Sequence, residues 1–149
     1  MKTRQSPRLK HYNYAQAGAY FITLVAHQRK PLLGEILAGE LIPAPLAELA
    51  FQHWHQLPRR HSTLSLDEMV MMPNHLHGIL WLSGDNSHQL MKIINNYKAG
   101  VTREFRPPAT IWQRGFYDRV ILDETELNTI RHYIKDNPLR WHGDRLNYR

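Results

Sequence analysis

Residues 63–82 read TLSLDEMVMMPNHLHGILWL, and this stretch decides the fold. Residues 63–72 are mostly apolar and predict a long strand, while Pro73-Asn74 is a dipeptide typical of turns. Residues 75–82, HLHGILWL, then predict a strand that returns alongside the first. Because so short a connection joins only antiparallel neighbours, the stretch indicates an antiparallel sheet with helices packed on it.

The rest of the chain supplies further strands and helices around this pair. In chain order we expect a strand at 20–27, a hairpin at 35–42, a helix from Pro45 to Pro58, a helix that Ser87 caps and Pro107-Pro108 breaks, a strand at 112–122 kinked at Gly115, and a helix at 123–137. This order fits an α+β ferredoxin-like sandwich built from split βαβ units. The strand at 75–82, with its two histidines, is then central in the sheet.

The composition is that of one globular domain. The 149 residues are 42% hydrophobic and 21% charged, without a repeat or linker, so we expect a single domain at 1–149. No apolar run approaches the roughly 20 residues of a membrane span, and the N-terminus lacks the apolar core of a secretory signal. The absence of cysteine excludes disulfides and thiolate metal sites. We therefore expect a cytoplasmic, nucleoid-associated protein without a membrane partner.

The charge favours a polyanionic partner. Nineteen Lys and Arg against thirteen Asp and Glu give a net charge of +6, part of it in a basic arm at about 1–15. Nucleic acid is the commonest partner for such an excess, although a basic protein that binds no polyanion has the same composition. Several aromatic residues lie among basic ones, as in proteins that stack unpaired bases, and these are Trp112, Tyr117, Tyr133 and Trp141.

His75 and His77 form a candidate metal site. Side chains alternate faces along a strand, so both imidazoles project to the same side, about 7 Å apart. Ring nitrogens suit Mn, Zn and similar ions, whereas Mg prefers oxygen ligands. The spacing alone is a short motif, and two of the ten histidines could share it by chance. The sequence does not fix which face of the sheet they occupy.

The last helix offers a nucleophile and an amide. Its apolar stripe predicts that Tyr133 and Asn137 lie at the edge of the packed face, one turn apart. A phenol and an amide placed there can lean over a metal on the sheet. Without the histidine pair, Tyr133 would be the rim of the core, and Asn137 would only end the helix before Pro138.

Three motifs together resemble the REP-associated tyrosine transposases of the HUH endonuclease superfamily, named for a His-hydrophobic-His metal motif. They are MPNHLHGIL at 72–80, WQRGFYDRVI at 112–121 and YIKDNP at 133–138, and the likeness runs from the first strand to the last helix. The resemblance implies a ferredoxin-like sheet and a metal-dependent transposase that uses Mg or Mn. Such an enzyme cleaves and rejoins single-stranded DNA near REP-like hairpins through a 5′-phosphotyrosine link.

The same resemblance implies the roles of individual residues. His75 and His77 match the two metal-binding histidines, and Tyr133 matches the nucleophile. Asn137 matches a third metal ligand, which is usually Gln in related insertion-sequence transposases and is one methylene longer. Those relatives are dimers that exchange their tyrosine helices, whereas some REP-associated relatives are monomers, so a homodimer is one of two expected states.

Basic residues near these motifs are candidate DNA contacts. They are Lys98, Arg103, Arg114, Arg119 and Lys135 beside the site, with Arg4, Arg8 and Lys10 in the N-terminal arm. Histidine-triad hydrolases, a rival class, need a further His where this chain has Ile79, and a zinc hydrolase would need an acid that the sequence does not identify. The main alternative is a domesticated protein that binds DNA hairpins without cutting them.

Overall fold

The computed structural model describes residues 18–83, 87–106 and 110–143. The strands are β1 (Gly18–Val25), β2 (Gly34–Leu37), β3 (Glu40–Pro43), β4 (Leu64–Met72), β5 (His75–Leu82) and β6 (Tyr117–Val120), and the helices are α1 (Pro45–His55), α2 (Leu57–Arg60), α3 (Ser87–Phe105) and α4 (Glu124–Asp136). Short 3-10 turns follow β1 and α4, at His27–Arg29 and Pro138–Gly143. Within these ranges no helix is long and apolar enough to cross a lipid bilayer.

Four strands form an antiparallel sheet in the order β4-β5-β1-β6, and β2 and β3 form a separate hairpin. Counting only the sheet strands along the chain, this order is 2-3-1-4, which is the split βαβ arrangement. The predicted ferredoxin-like α+β fold is therefore confirmed. The strand that carries His75 and His77 is flanked by neighbours on both sides, so it is central as expected.

The sheet is buried on both faces by different helices. Ile22, Leu76 and Leu80 pack in one core with apolar residues of α1 and α3. Ile79 and Trp81 pack in a second core with the apolar stripe of α4, which is Leu127, Ile130 and Ile134. Because side chains alternate along β5, its odd-numbered residues all face α4. This decides the face of His75 and His77, which alternation alone leaves open.

Gly78 brings α1 close to the sheet. A Cβ added at this position would lie 2.4 Å from Cζ2 of Trp54, a fully buried residue of α1. A glycine inside a strand marks such a close approach. The indole therefore rests directly on the backbone of β5, on the side opposite the histidines.

Two of the predicted boundaries were wrong. Pro58 does not close a helix but lies in the first turn of α2, where a missing N–H costs nothing because the first turn has no acceptor for it. The strand expected at 112–122 is regular only in β6, and Trp112 forms an isolated bridge with Ala26. The chain changes direction at Gly115, whose φ of +75° is in the left-handed region.

An irregularity in β4 anchors α4 to the edge of the sheet. The pairing of β4 with β5 shifts between Leu66 and Met69, so Asp67 lies outside the regular ladder. Its carboxylate accepts hydrogen bonds from Arg131 Nε at 2.9 Å, Arg131 Nη2 at 2.6 Å and Trp81 Nε1 at 3.0 Å. The Asp123 side chain caps the helix by accepting from the Glu126 amide at 2.8 Å.

Candidate active site

The structure places His75 and His77 side by side at the start of β5. Both are buried, with exposed fractions of 0% and 4%. Their ring centroids are 4.6 Å apart, with the ring planes inclined at 68°. The two imidazoles therefore project to the same side of the strand, as the sequence predicted.

Each imidazole is held by a hydrogen bond at Nδ1. His75 Nδ1 lies 2.8 Å from Asn74 Oδ1, and His77 Nδ1 lies 2.8 Å from Thr23 Oγ1. The Asn74 amide has a fixed orientation because its Nδ2 donates to the Arg29 carbonyl at 3.3 Å. An amide oxygen only accepts, so His75 carries its proton on Nδ1 and keeps a lone pair on Nε2. Such bonds orient the histidine ligands of metals in proteins.

Burial keeps His77 in the form that binds metals. Desolvation, with a smaller contribution from the neighbouring His75, lowers the pKa of His77 to about 3. The imidazole is consequently neutral at pH 7, and a neutral ring nitrogen is the species that coordinates a metal.

Helix α4 and the turn after it pass over the histidine pair. The Tyr133 ring lies 5.4 Å from the His77 ring and 6.3 Å from the Phe21 ring, centroid to centroid. Two turns later, the Trp141 ring lies 6.2 Å from that of His75. The sequence predicted that the tyrosine helix folds back over the histidines, and within one chain the contact with Tyr133 is present.

Asn137 comes between these two aromatic contacts along the chain. It is 2% exposed, and its Oδ1 is a buried atom without a hydrogen-bond partner among the described residues. The Nε2 atom of His77 is also buried and has no hydrogen-bond partner among the described residues. Buried polar atoms without partners are costly, so each needs an explanation. An amide oxygen and a ring nitrogen are both atom types that can bind a divalent cation.

The residues available fit a divalent metal held partly by an amide. Within the described ranges, no three His, Cys, Asp or Glu side chains cluster closely enough to bind a metal. Two imidazole nitrogens with one amide oxygen make an incomplete set, which leaves positions for water or for substrate oxygens. A metal held by such a set would keep open positions, as the metals of catalytic sites do.

The candidate DNA-binding residues are distributed over both faces. Arg119 of β6 pairs with Glu126, and Lys135 of α4 lies 3.6 Å from Glu68, so both are on the α4 side. Arg114 is exposed in the loop before β6. Contact between these three residues and DNA stays a prediction.

Two other candidates are not brought to the histidines. Lys98 and Arg103 belong to α3, which packs on the opposite face of the sheet. Lys98 Nζ donates to the carbonyls of Gln113 at 2.9 Å and Gly115 at 2.7 Å, so it supports the loop before β6. Burial lowers the pKa of this ammonium. Arg4, Arg8 and Lys10, with the rest of the basic arm, lie outside the described residues.

Sequence reasoning missed three residues that shape the site. Asn74 was interpreted only as part of a turn, although an Asn directly before the first histidine was a usable signal. Thr23 could not be identified from the sequence because its position opposite His77 depends on strand register. Arg140 lies beyond the predicted helix, and its Cζ is 5.2 Å from the centroid of the Tyr133 ring.

Comparison with known proteins places the chain in a family. It is 34% identical, over 166 aligned positions, to an uncharacterized protein of Haemophilus influenzae, and the match covers 96% of this chain and 92% of the relative. The chain belongs to the same family as that protein. No family model matches the sequence.

Solved structures identify the fold. A REP-associated tyrosine transposase bound to a REP hairpin superposes with a TM-score of 0.62 at 21% identity, covering 91% of this chain and 74% of that one. A candidate transposase from Deinococcus radiodurans superposes with a TM-score of 0.57 at 14% identity, covering 87% and 95%. The fold is therefore that of the REP-associated tyrosine transposases, as the sequence motifs indicated.

Proposed function

We propose that the protein is a metal-dependent tyrosine transposase that cleaves and rejoins single-stranded DNA near hairpins. The observation that carries the proposal is the position of the Tyr133 ring, 5.4 Å from that of the buried His77 in the same chain. Packing of the Tyr133 ring on Phe21 does not account for the buried His77 nitrogen that has no partner among the described residues. A phenol in this position does suit a nucleophile placed next to a metal ligand.

His75, His77 and Asn137 would hold the metal, which we expect to be Mg or Mn. A bound divalent ion would polarise a non-bridging oxygen of the phosphodiester. The chain itself fixes the donor atoms. Asn74 and Thr23 hold the two rings through Nδ1, and burial keeps His77 neutral. Asn137 supplies a buried amide oxygen at the end of α4.

Tyr133 is the proposed nucleophile. Its oxygen attacks the phosphorus, the new bond joins tyrosine to the 5′ phosphate, and the bond from phosphorus to the 3′ oxygen breaks. Tyr133 is 36% exposed, so its phenol proton can pass to water while the departing 3′ oxygen takes one up. The phosphotyrosine ester conserves the energy of the broken bond, so a 3′ hydroxyl can reverse the step and rejoin strands without ATP.

Arg140 stabilises the negative charge that develops on the Tyr133 oxygen in this step. A phenol is a weak nucleophile at neutral pH because little of it is ionised. The Arg140 guanidinium carbon lies 5.2 Å from the centroid of the Tyr133 ring, close enough for a favourable interaction with its π face. The same positive charge favours the negative charge that the phenol oxygen acquires during attack.

The proposed partner is single-stranded DNA that carries REP-like hairpins, at the nucleoid in the cytoplasm. The net charge of +6 favours a polyanion, and a transposase with this fold is bound to a REP hairpin in its structure. Arg114, Arg119 and Lys135 are the described residues that we expect to contact phosphates. The arm residues Arg4, Arg8 and Lys10 are expected to add affinity for the hairpin.

Cleavage assays separate this function from the alternative, a domesticated protein that only binds hairpins. Purified protein is incubated with end-labelled oligonucleotides that contain a hairpin and a single-stranded flank, with Mn, with Mg or with EDTA. The transposase predicts cleavage in the flank that depends on the metal. Tight binding without cleavage under every condition would establish the domesticated binder, and neither binding nor cleavage would reject both.

A further inference from the structure

Helix α4 crosses the histidine face of the sheet diagonally and leaves one corner uncovered. Its first turn is tied to β6 through Glu126, which pairs with Arg119, and its middle is tied to β4 through Arg131 and Asp67. The strand against which it packs most closely is β4. The opposite corner, where β6 begins, is therefore not covered by this helix.

Tyr117 occupies that corner, in line with the histidines. The strand registers pair His77 with Thr23 and Thr23 with Tyr117, so the three residues form one row across the sheet. Directly paired residues project to the same face, and neighbouring strands lie about 4.8 Å apart. The Tyr117 backbone is thus about 10 Å from that of His77, which is the scale of one or two nucleotides.

The exposure of Tyr117 contrasts with the rest of the row. Thr23 and His77 are 8% and 4% exposed, whereas Tyr117 is 58% exposed. Its hydroxyl accepts a long hydrogen bond from Gln113 Nε2 at 3.4 Å, and Arg114 is exposed in the same loop. Single exposed aromatic residues are common on surfaces and need no explanation. Tyr117, however, lies in the same row across the sheet as the candidate metal ligand His77, at the side of the site that α4 does not cover.

We propose that Tyr117 is a stacking platform for an unpaired base next to the cleaved phosphate. The inference rests on the proposed function and adds the direction in which the substrate strand leaves the site, which is across β1 and over the edge strand β6. Tyrosine offers a π face to any base, so the contact tolerates different sequences, and the exposed Arg114, three residues earlier in the chain, can meet the backbone phosphate. The hairpin would then lie on the other side of Tyr133.

The test uses the full chain and hairpin oligonucleotides in which one base of the single-stranded flank is replaced by 2-aminopurine, moved one position at a time. Stacking on a tyrosine quenches the fluorescence of this base. We expect quenching at one position next to the cleavage site, with the signal lost in Tyr117→Ala and kept in Tyr117→Phe and Tyr117→Trp. Affinity for the flanked hairpin should fall roughly 5- to 150-fold in Tyr117→Ala.

Two controls make the result specific. Phe51→Ala removes another exposed aromatic ring, on α1, and should change neither quenching nor affinity. A hairpin without its flank should bind Tyr117→Ala and the native chain equally. If the native chain binds flanked hairpins and Tyr117→Ala matches it in affinity and quenching, the platform is refuted while the proposed function stands. If the native chain binds no hairpin DNA, the proposed function itself fails.

Discussion

At the scale of single residues, the site depends on which nitrogen of His75 carries the proton. Asn74 decides this, because its amide is oriented by the Arg29 carbonyl and presents its oxygen to His75 Nδ1. Gln28 and Arg29 both have positive φ, at 55° and 57°, which is uncommon for residues other than glycine. The loop after β1 is thus held in a strained form in which the Arg29 carbonyl oxygen accepts from Asn74.

Replacing Asn74 should disturb the proposed metal site without unfolding the protein. In Asn74→Ala the His75 ring loses the acceptor that selects the Nδ1–H form, so long-range ¹H–¹⁵N spectra should show a shift toward the Nε2–H form. Affinity for Mn should fall roughly 10- to 100-fold, as is usual when the partner of a metal-binding histidine is removed. Asn96→Ala, at an exposed position on α3, is the control. An unchanged tautomer in Asn74→Ala would remove the positioning role.

The same residues show which features of the site could be predicted from the sequence. Alternation along a strand predicts that His75 and His77 share a face, and helical spacing predicts that Tyr133 and Asn137 are neighbours. Which face the histidines occupy could not be predicted, because the sheet is buried on both sides and Leu76 and Ile79 are equally apolar. The bond from Thr23 to His77 depends on register across the sheet, which a single sequence does not contain.

At the scale of elements, the position of α4 rests on Asp67. Burial alone would raise the pKa of this carboxyl, but hydrogen bonds from Arg131 and Trp81 outweigh that effect, and the pKa is lowered from its usual 3.8. A carboxylate whose pKa is lower in the folded protein stabilises the fold at pH values above 3.8. That contribution is lost as the pH falls through the folded-state value.

Asp67→Asn should therefore destabilise the protein by about 1–3 kcal/mol at pH 7, because it leaves Arg131 half-buried opposite a neutral amide. The difference between native and variant should begin to shrink below pH 3.8, where Asp67 of the unfolded chain becomes protonated, and it should be lost once the pH falls through the lower folded-state pKa. Urea unfolding at several pH values measures both effects. The matched control is Glu68→Gln, whose more exposed ion pair with Lys135 should contribute no more than about 1 kcal/mol. Equal losses in the two variants would contradict this account of the anchor.

The elements themselves were predicted with uneven success. The strand at 75–82 was predicted with the bounds that the structure shows, because the Pro73-Asn74 turn marks its start. The next helix was predicted with Ser87 as its N-cap and with apolar positions from Leu90 to Phe105, and the structure begins α3 at Ser87 itself. The expected strand at 112–122 was too long. Its residue types favour a strand throughout, but the backbone bonds of 111–113 go to the end of β1, and Gly115 turns the chain before β6 begins.

At the scale of the whole molecule, the fold could be predicted because the order of strands and helices permits few arrangements. Split βαβ connections place the strand with the histidines inside the sheet. The sequence could not predict whether the tyrosine beside a histidine pair belongs to the same chain or to a partner chain. Both arrangements have the same sequence. In the structure the ring of Tyr133 contacts His77 of its own chain.

A site completed within one chain predicts that inactive chains do not rescue each other. Mixtures of Tyr133→Phe and His77→Ala proteins should show no more cleavage of hairpin oligonucleotides than either variant alone. An exchanged dimer would combine an intact tyrosine with intact histidines and restore activity. Cleavage that reappears on mixing would show that the tyrosine helix acts on a partner chain.

The central claim is that Tyr133 forms the covalent link to DNA. The direct measurement is mass spectrometry of the adduct that survives denaturation after the protein has been incubated with Mn and a hairpin oligonucleotide. We predict a nucleotide-modified peptide that contains Tyr133, and no adduct in Tyr133→Phe although that variant still binds the DNA. An adduct on another residue, or one that persists in Tyr133→Phe, would contradict the account.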